Sequence, residues 1–267
     1  MIRQKVRVAS FLAPNMWPIY EFIVGYISRK LNYEMELVVG STYDELGHSD
    51  FSFVCGLPYV LYTAPRLEPS PSTAIAAPVL LGERYQGKPI YFSDVIVRAD
   101  SSIHSFADLR GHSWAYNEEI SQSGYGITRY WLVKAGETNG YFGKVVKAGY
   151  HQAAIRMVSE GAVDASAIDS LVLEIELAQH PDLAQKLRIV ETLGPSTIQP
   201  FVAASYVPQS LKEDVQSVMA QMHTDSTSAE YLRRGHIDRF VPMQDSDYDD
   251  IRAMLAACEA ANFMTLK

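Results

Sequence analysis

The stretch SWAYNEEISQSGYGITRYWLVKA, residues 113–135, runs from a strand through a polar turn into a helix. Residues 113–117 are strand-like, and Ile127, Tyr130 and Trp131 recur at the spacing of one helical face. A strand that continues into a helix through a short turn is the building unit of α/β proteins. This stretch therefore predicts an α/β fold, in which the turn after the strand is a natural place for a ligand.

The same order of strand, turn and helix recurs on both sides of that stretch. Strands are predicted for residues 6–12, 36–39, 51–54, 73–81, 90–98, 145–148, 165–168, 187–192 and 201–205. Helices are predicted for residues 18–31, 58–64, 151–160, 208–222, 228–234 and 248–261. This alternation predicts a mostly parallel sheet with helices on both of its faces.

The position of two strands predicts how the chain divides into domains. The strands near residues 90–97 and 201–205 flank a middle block that has its own strand and helix units. We therefore expect two α/β lobes joined by two crossing strands, with the second lobe inserted into the first. Residues 1–92 and 203–267 are assigned to lobe 1 and residues 93–202 to lobe 2, with the ligand cleft between them.

Composition and charge argue against several classes of protein. Of the 267 residues, 48% are apolar and 20% are charged, which is the ordinary globular range and not that of a disordered, collagen-like or coiled-coil chain. The 23 basic and 31 acidic residues give a net charge of −8, and a surface of that sign repels nucleic acid and anionic lipid. We expect no nucleic-acid partner.

The cysteines and apolar segments predict neither a disulfide framework nor a membrane span. Cys55 and Cys258 are too few for a disulfide scaffold or a zinc knuckle and are expected to be buried thiols. No apolar run approaches the roughly 18 residues that span a bilayer. The first residues lack the apolar region and cleavage site of a signal peptide, so the chain as written predicts a mature or cytosolic protein.

The polar turn at residues 118–126 is the first candidate site. Ser121, Ser123, Gly124 and Gly126 would present hydroxyl and backbone N–H groups at the positive end of a helix dipole. Such groups bind oxyanions without a lysine or arginine. The alternative is an ordinary serine N-cap in a glycine-containing turn. The turn lacks the Lys-Ser/Thr of a phosphate loop and the third glycine of a dinucleotide fingerprint.

Two further candidates lie where a predicted strand ends and a helix begins. His151 either donates a hydrogen bond to an oxyanion or is a capped surface histidine. Asp169 follows the strand at residues 165–168 and either accepts a hydrogen bond from a ligand or caps the next helix. The residues alone leave both alternatives open.

Aromatic residues cluster at predicted loop positions, namely Trp17, Tyr43, Tyr59 and Tyr91. Each is either part of the core or a wall of a binding site. Tyr43 is the least core-like, because the turn that contains it is polar.

Enzyme signatures are mostly absent from the sequence. It contains neither a Gly-x-Ser-x-Gly elbow nor a His-Glu-x-x-His metal helix, and its seven histidines are scattered. We therefore expect no metal and no cofactor. A serine nucleophile at Ser121 or Ser123 with His151 as its base remains an alternative.

Several stretches, in order along the chain, resemble a known family, the phosphonate/phosphite-type substrate-binding proteins of ABC transporters. This family is a branch of the type 2 periplasmic-binding-protein fold. The likeness rests on YFSDVIVRADSSI at 91–103, SFADLRG at 105–111, SQSG at 121–124, His151, VDASAIDS at 163–170, and RFVPMQDSDYDDIR at 239–252.

The resemblance implies roles for individual residues. Ser121, Gln122, Ser123 and His151 would grip the phosphorus oxyanion. Tyr43 and Tyr91 would contact the bound oxyanion, and Tyr59 is a further candidate for such a contact. Asp169 would meet the variable end of the ligand or its protonated oxygen.

The function expected from this resemblance is capture of a small phosphorus oxyanion (phosphonate, phosphite or phosphate-like) by hinge closure, for an ABC-type uptake system. The expected partners are the oxyanion and an ABC permease, with no membrane insertion and a monomeric state. Two alternatives stay open. One is a cytosolic biosynthetic enzyme on the same fold, and the other is a soluble ligand sensor.

Overall fold

The computed structural model describes residues 5–43, 46–63 and 72–266. The chain divides into two compact units. Unit 1 comprises Met1–Ile90 and Thr197–Asp249, and unit 2 comprises Tyr91–Ser196 and Asp250–Lys267.

The strands and helices alternate along the chain as predicted. The strands are β1 (Lys5–Ser10), β2 (Glu34–Val39), β3 (Phe51–Phe53), β4 (Ser72–Leu80), β5 (Ile90–Arg98), β6 (Ser113–Tyr116), β7 (Lys144–Lys147), β8 (Ala165–Asp169), β9 (Leu187–Thr197), β10 (Phe201–Ala204) and β11 (Ile237–Pro242). The helices are α1 (Trp17–Leu31), α2 (Gly56–Tyr62), α3 (Ile127–Lys134), α4 (His151–Ser159), α5 (Ser170–Gln179), α6 (Pro181–Lys186), α7 (Gln209–Gln221), α8 (Ser226–Arg234) and α9 (Asp249–Ala260).

The described residues of unit 1 form a six-stranded sheet in the order β11-β4-β10-β3-β1-β2. Helix α1 contacts β2 of this sheet and buries Ile19, Ile23 and Ile27, which recur every four residues along one helical face. The helix ends at Leu31 and is followed by Asn32, whose φ of 56° is the left-handed conformation typical of a helix C-terminus.

The described residues of unit 2 form a five-stranded sheet in the order β7-β6-β8-β5-β9. Trp114 of β6 is fully buried and stacks on Phe142 with ring centroids 4.6 Å apart. Phe106 meets Trp114 edge to face, so large rings fill the space between the sheet and the segments around it. This packing fixes the end of β6, from which the polar turn starts.

The sheets are mixed, which corrects the expectation of mostly parallel pairing. β1 pairs in parallel with β2 and β3, and β6 does so with β7 and β8. In contrast, β10 is antiparallel to β3 and β4, β11 is antiparallel to β4, and β5 is antiparallel to β8. The chain passes from unit 1 to unit 2 within β5, between Ile90 and Tyr91, and returns to unit 1 shortly before β10, between Ser196 and Thr197.

The end of the chain belongs to unit 2, which corrects the assignment of residues 203–267 to the first lobe. Phe263 and Leu266 are part of the hydrophobic cluster that contains Trp114. The buried Arg129 guanidinium donates to the Met264 carbonyl oxygen at 3.0 Å. These apolar and polar contacts hold the last residues in unit 2. The other unit boundaries fall at 90/91 and 196/197 instead of 92/93 and 202/203.

The expectation for the two cysteines agrees with the structure. Cys55 and Cys258 are buried free thiols. Among the described residues, no helix combines the length and apolar character needed to cross a bilayer.

Candidate functional site

The turn after β6 forms a short π-helical segment that positions the predicted serines. Gln122–Gly126 make this turn, with Ser121 as the residue before it. The backbone N–H of Gly126 donates to the Ser121 carbonyl oxygen at 2.8 Å, which is the five-residue spacing of a π-turn, and α3 follows directly. Single π-turns are rare and frequently occur at functional sites.

The serine hydroxyls of this turn form a chain with His151. Ser121 Oγ accepts a hydrogen bond from the Gly124 N–H at 3.1 Å and lies 3.4 Å from Ser123 Oγ. Ser123 Oγ lies 2.9 Å from His151 Nε2. All three side chains are buried. The structure therefore brings together the start of α4 and the start of the turn before α3, which carry three of the residues that the resemblance assigns to the oxyanion.

His151 is a neutral group at physiological pH. It is the first residue of α4, and only 6% of it is exposed. Burial lowers the pKa of His151 to about 4, because the charged form loses its hydration. Its Nδ1 atom has no hydrogen-bond partner in the part of the chain that the structure describes.

Asn117, at the end of β6, connects the turn to α4, and the sequence analysis missed it. Its Nδ2 atom lies 3.4 Å from His151 Nε2, and its carbonyl oxygen accepts from the Gly149 N–H at 2.9 Å. A Cβ atom on Gly124 would lie 2.0 Å from Asn117 Oδ1. A side chain at position 124 would therefore require the Asn117 side chain to shift.

The Gln122 side chain has a structural role in this site. Its Nε2 atom donates to Ser196 Oγ and to Met254 Sδ, both at 3.2 Å. These contacts tie the turn to β9 and α9. An oxyanion role for Gln122 therefore stays a prediction that rests on its backbone N–H.

Asp169 caps α5, which confirms one of its two predicted roles. Its Oδ1 atom accepts from the N–H groups of Leu171 at 2.9 Å and Val172 at 3.2 Å. Tyr91 lies on β5, two residues before Ser93, which pairs with Asp169 in the sheet. Both Tyr91 and Asp169 are almost fully buried in unit 2. Their contact with a ligand stays a prediction.

The other two predicted tyrosines lie in unit 1. Tyr43 is half-buried and stacks on Phe11 with ring centroids 4.9 Å apart. Tyr59 is completely buried, donates to Asp245 Oδ1 at 2.7 Å and accepts from the Ala74 N–H at 3.2 Å. These contacts favour the core interpretation of Tyr59 over a ligand contact.

Gln152 is a second residue that the sequence analysis did not single out. It follows His151 in the first turn of α4 and is 8% exposed. Neither its Nε2 nor its Oε1 atom has a hydrogen-bond partner among the described residues. A glutamine at the second position of a helix is unremarkable in sequence, so only the folded chain reveals this feature.

The basic residues close to the turn in sequence or space have other partners. Lys147 Nζ lies 2.6 Å from Glu119 Oε2, and Arg129 donates to the Met264 carbonyl oxygen. The Tyr116 hydroxyl also donates to Glu119, at 2.9 Å, and burial raises the pKa of Tyr116 to about 12. In the described part of the chain, no group of histidine, cysteine and carboxylate side chains is arranged to hold a metal ion.

Three solved structures have folds similar to that of this chain. A binding-protein component of an ABC phosphonate transporter from Pseudomonas aeruginosa matches with a TM-score of 0.83 and 15% identity, over 97% of this chain and 88% of that chain. PhnD1 from Prochlorococcus marinus, in complex with methylphosphonate, matches with a TM-score of 0.81 and 19% identity, over 97% and 98%. An adipate complex from R. palustris matches with a TM-score of 0.68 and 12% identity, over 98% and 97%. The chain thus has the type 2 periplasmic-binding-protein fold, and this fold accommodates chemically different anions.

The family comparison is more specific than the fold. Residues 9–248 match the family described as the periplasmic substrate-binding protein of the phosphonate ABC transporter. This description names a solute-binding component, which confirms the expected solute-binding role in uptake, with a small-molecule ligand and an ABC permease as partner. The prediction of a cytosolic biosynthetic enzyme, kept as an alternative above, is therefore wrong. The chain belongs to the phosphonate-binding family of ABC-transporter substrate-binding proteins.

Proposed function

We propose that the cluster of Ser121, Ser123 and His151 binds a small phosphorus oxyanion (phosphonate, phosphite or phosphate-like). The observation that carries this proposal is the buried hydroxyl–hydroxyl–imidazole chain, with Oγ–Oγ and Oγ–Nε2 distances of 3.4 and 2.9 Å. The methylphosphonate complex of PhnD1 supports the same ligand class.

The cluster binds the anion through neutral donors. With the imidazole proton on Nε2, His151 donates to Ser123 Oγ, and the serine hydroxyl hydrogen is then available to a ligand oxygen. The first N–H groups of a helix have no intrahelical partner and carry partial positive charge, so the start of α4 adds donors of the same kind. Hydrogen bonds to an ionised acceptor are about twice as strong as neutral ones.

Other predicted residues would complete the site. Tyr91 and Asp169 lie close in the sheet register of unit 2 and are the best-placed candidates for further ligand contacts. Tyr43 lies in unit 1 and is kept as a predicted contact from that unit. The expected monomeric state is also part of this proposal and is tested by light scattering with and without ligand.

The test is calorimetric titration and thermal unfolding of the purified chain with methylphosphonate, phosphite, phosphate and sulfate. We expect at least one phosphorus oxyanion to bind and raise the melting temperature. The double variant Ser121→Ala/Ser123→Ala should lose ligand binding and the rise in melting temperature. Its unliganded stability should fall by about 1 kcal/mol, which is the typical cost of removing one helix N-cap.

The matched control is Ser159→Ala, in the same unit, because that hydroxyl donates only to the Arg156 carbonyl oxygen at the other end of α4. The control should bind like the unmodified chain. If every phosphorus oxyanion fails to bind the folded chain, or if the double variant binds normally, the proposal is wrong.

A further inference from the structure

Gln152 is deeply buried, and its side-chain amide has no hydrogen-bond partner among the described residues. Only 8% of Gln152 is exposed, and both polar atoms of its side-chain amide are buried without a hydrogen bond to any described residue. By contrast, Gln122 and Gln216, two other glutamines of the described chain, donate through Nε2 to protein atoms. A buried amide without partners costs free energy, so such a group requires a functional explanation.

The position of Gln152 connects it to the oxyanion cluster. It follows His151, whose Nε2 atom lies 2.9 Å from Ser123 Oγ. Both residues belong to the first turn of α4 and both are more than nine-tenths buried. The first turn of α4 therefore contains two consecutive buried residues with polar atoms that lack partners among the described residues, and the first of them, His151, contacts Ser123.

The two described strands that pack against α4, β6 and β8, carry no basic side chain. On the elements packed against α4, the titratable groups are Tyr116 of β6 and Asp169 of β8. Tyr116 donates to Glu119, and Asp169 is acidic. Arg156, on α4 itself, is exposed near the opposite end of the helix. A doubly charged ligand would lose its hydration here without gaining an opposite charge.

We propose that Gln152 recognises the singly protonated form of the phosphorus oxyanion. Its Oε1 atom accepts a hydrogen bond from the P–OH group, and its Nε2 atom donates to a neighbouring P–O⁻ oxygen. This inference rests on the proposed function of Ser121, Ser123 and His151, and adds the protonation state that the site selects. It also satisfies both polar atoms of the amide with one ligand group.

The consequence is selectivity against anions that carry no proton. Methanesulfonate has the tetrahedral shape and single charge of monoprotonated methylphosphonate but no O–H donor. A buried acceptor that finds no O–H donor on a ligand stays unpaired, and a site with such an acceptor discriminates strongly against that ligand. We therefore expect methylphosphonate to bind at least about tenfold more tightly than methanesulfonate at pH 6, where the monoanion predominates.

The first experiment is calorimetric titration of both probes between pH 6 and pH 9. Above the second pKa of methylphosphonate, its affinity should fall by up to about tenfold per pH unit, because the bound form is being titrated away. Methanesulfonate has no such ionisation, so its affinity reports any change in the protein and should stay constant. A methylphosphonate affinity that is constant or rises over this range overturns the inference.

The second experiment compares Gln152→Leu with Gln216→Leu. Gln152→Leu should abolish the preference for methylphosphonate over methanesulfonate and raise the unliganded melting temperature, because it removes an unsatisfied buried amide. Gln216 donates to the Ile75 carbonyl oxygen at 2.7 Å in unit 1, so Gln216→Leu should lower the melting temperature and keep the preference.

The two proposals fail in different ways. If methylphosphonate binds and depends on Ser121 and Ser123, but Gln152→Leu keeps the ligand preference or lowers unliganded stability, only the role of Gln152 is wrong. If no phosphorus oxyanion binds the unmodified chain, the proposed function is wrong and the role of Gln152 falls with it.

Discussion

Tyr59 of unit 1 and the His151–Gln152 pair of unit 2 are buried to a similar degree but differ in their hydrogen bonding. The Tyr59 hydroxyl donates to Asp245 and accepts from the Ala74 N–H. In the pair, His151 Nδ1 and both amide atoms of Gln152 have no partner among the described residues. A satisfied buried group stabilises one structure, whereas an unsatisfied one costs free energy until something binds it. The comparison distinguishes a residue that completes its hydrogen bonds within the core from two residues that we propose to contact a ligand.

The largest expected effect is on the pH dependence of stability and tests the burial of His151. Its pKa is about 4 in the folded chain against 6.5 ordinarily, so between these values the unfolded chain binds a proton that the folded chain does not. The contribution of His151 to the free energy of unfolding therefore rises with pH from about 4 to about 6.5 and is constant above that range. The pKa difference corresponds to about 3 kcal/mol in total.

The measurement is urea unfolding of the chain and of His151→Gln at several pH values. The difference in unfolding free energy between them should change by about 3 kcal/mol across that window. His223→Gln, at an exposed position, is the control. Parallel pH profiles for the chain and His151→Gln would show that His151 is not buried as a neutral group.

The next effect concerns the close approach of the turn to Asn117. In Gly124→Ala the new Cβ atom would overlap Asn117 Oδ1, so the Asn117 side chain must shift and its contact with His151 would be disturbed. We expect a loss of about 1–3 kcal/mol in stability, typical of overpacking, together with weaker ligand binding. Gly25→Ala in α1 is the matched control and should be neutral or stabilising. Normal stability and normal binding in Gly124→Ala would contradict this view of the site.

Removing the Tyr59 hydroxyl should affect stability alone. Tyr59→Phe leaves the Asp245 carboxylate and the Ala74 N–H without this partner, at a cost of about 1–3 kcal/mol. Ligand affinity should stay unchanged, which urea unfolding and titration with methylphosphonate measure together. A weaker affinity with unchanged stability would restore Tyr59 as a ligand residue.

The smallest effect is expected at the rim of the turn. The pair between Lys147 and Glu119 is half exposed, and exposed ion pairs contribute about 0–1 kcal/mol. Lys147→Ala should therefore change stability and ligand affinity only slightly, at low and at high salt. A tenfold loss of affinity would show that Lys147 supplies a positive charge to the ligand, against the neutral-donor proposal.

The alternation of strands and helices could be predicted because each unit repeats a local pattern of apolar spacing and turn residues. The directions of the strands and the unit to which the last residues belong could not be predicted from the sequence. Whether β10 runs parallel or antiparallel, and whether Phe263 packs in unit 1 or unit 2, depends on contacts between segments far apart in sequence. Helix α5 received no predicted bounds, although Asp169 before it was recognised as a possible cap.

In the candidate site, too, local sequence patterns could be predicted and contacts between distant segments could not. Ser121, Ser123 and His151 were predictable because they stand where a strand gives way to a helix, and such junctions meet at one edge of a sheet. Gln122 stands at the same junction, but its amide turns to Ser196 and Met254, which no local pattern indicates. Gln152 was missed because a lack of partners is a property of the folded chain.

The attachment of the last residues to unit 2 has a practical consequence. The Leu266 N–H donates to the Tyr125 hydroxyl at 3.1 Å, and Tyr125 belongs to the same π-turn as Ser123. A deletion that removes residues 263–266 would therefore loosen the segment that holds the serines. A fluorescent sensor made from this chain should retain those residues and carry its dye at a site remote from them.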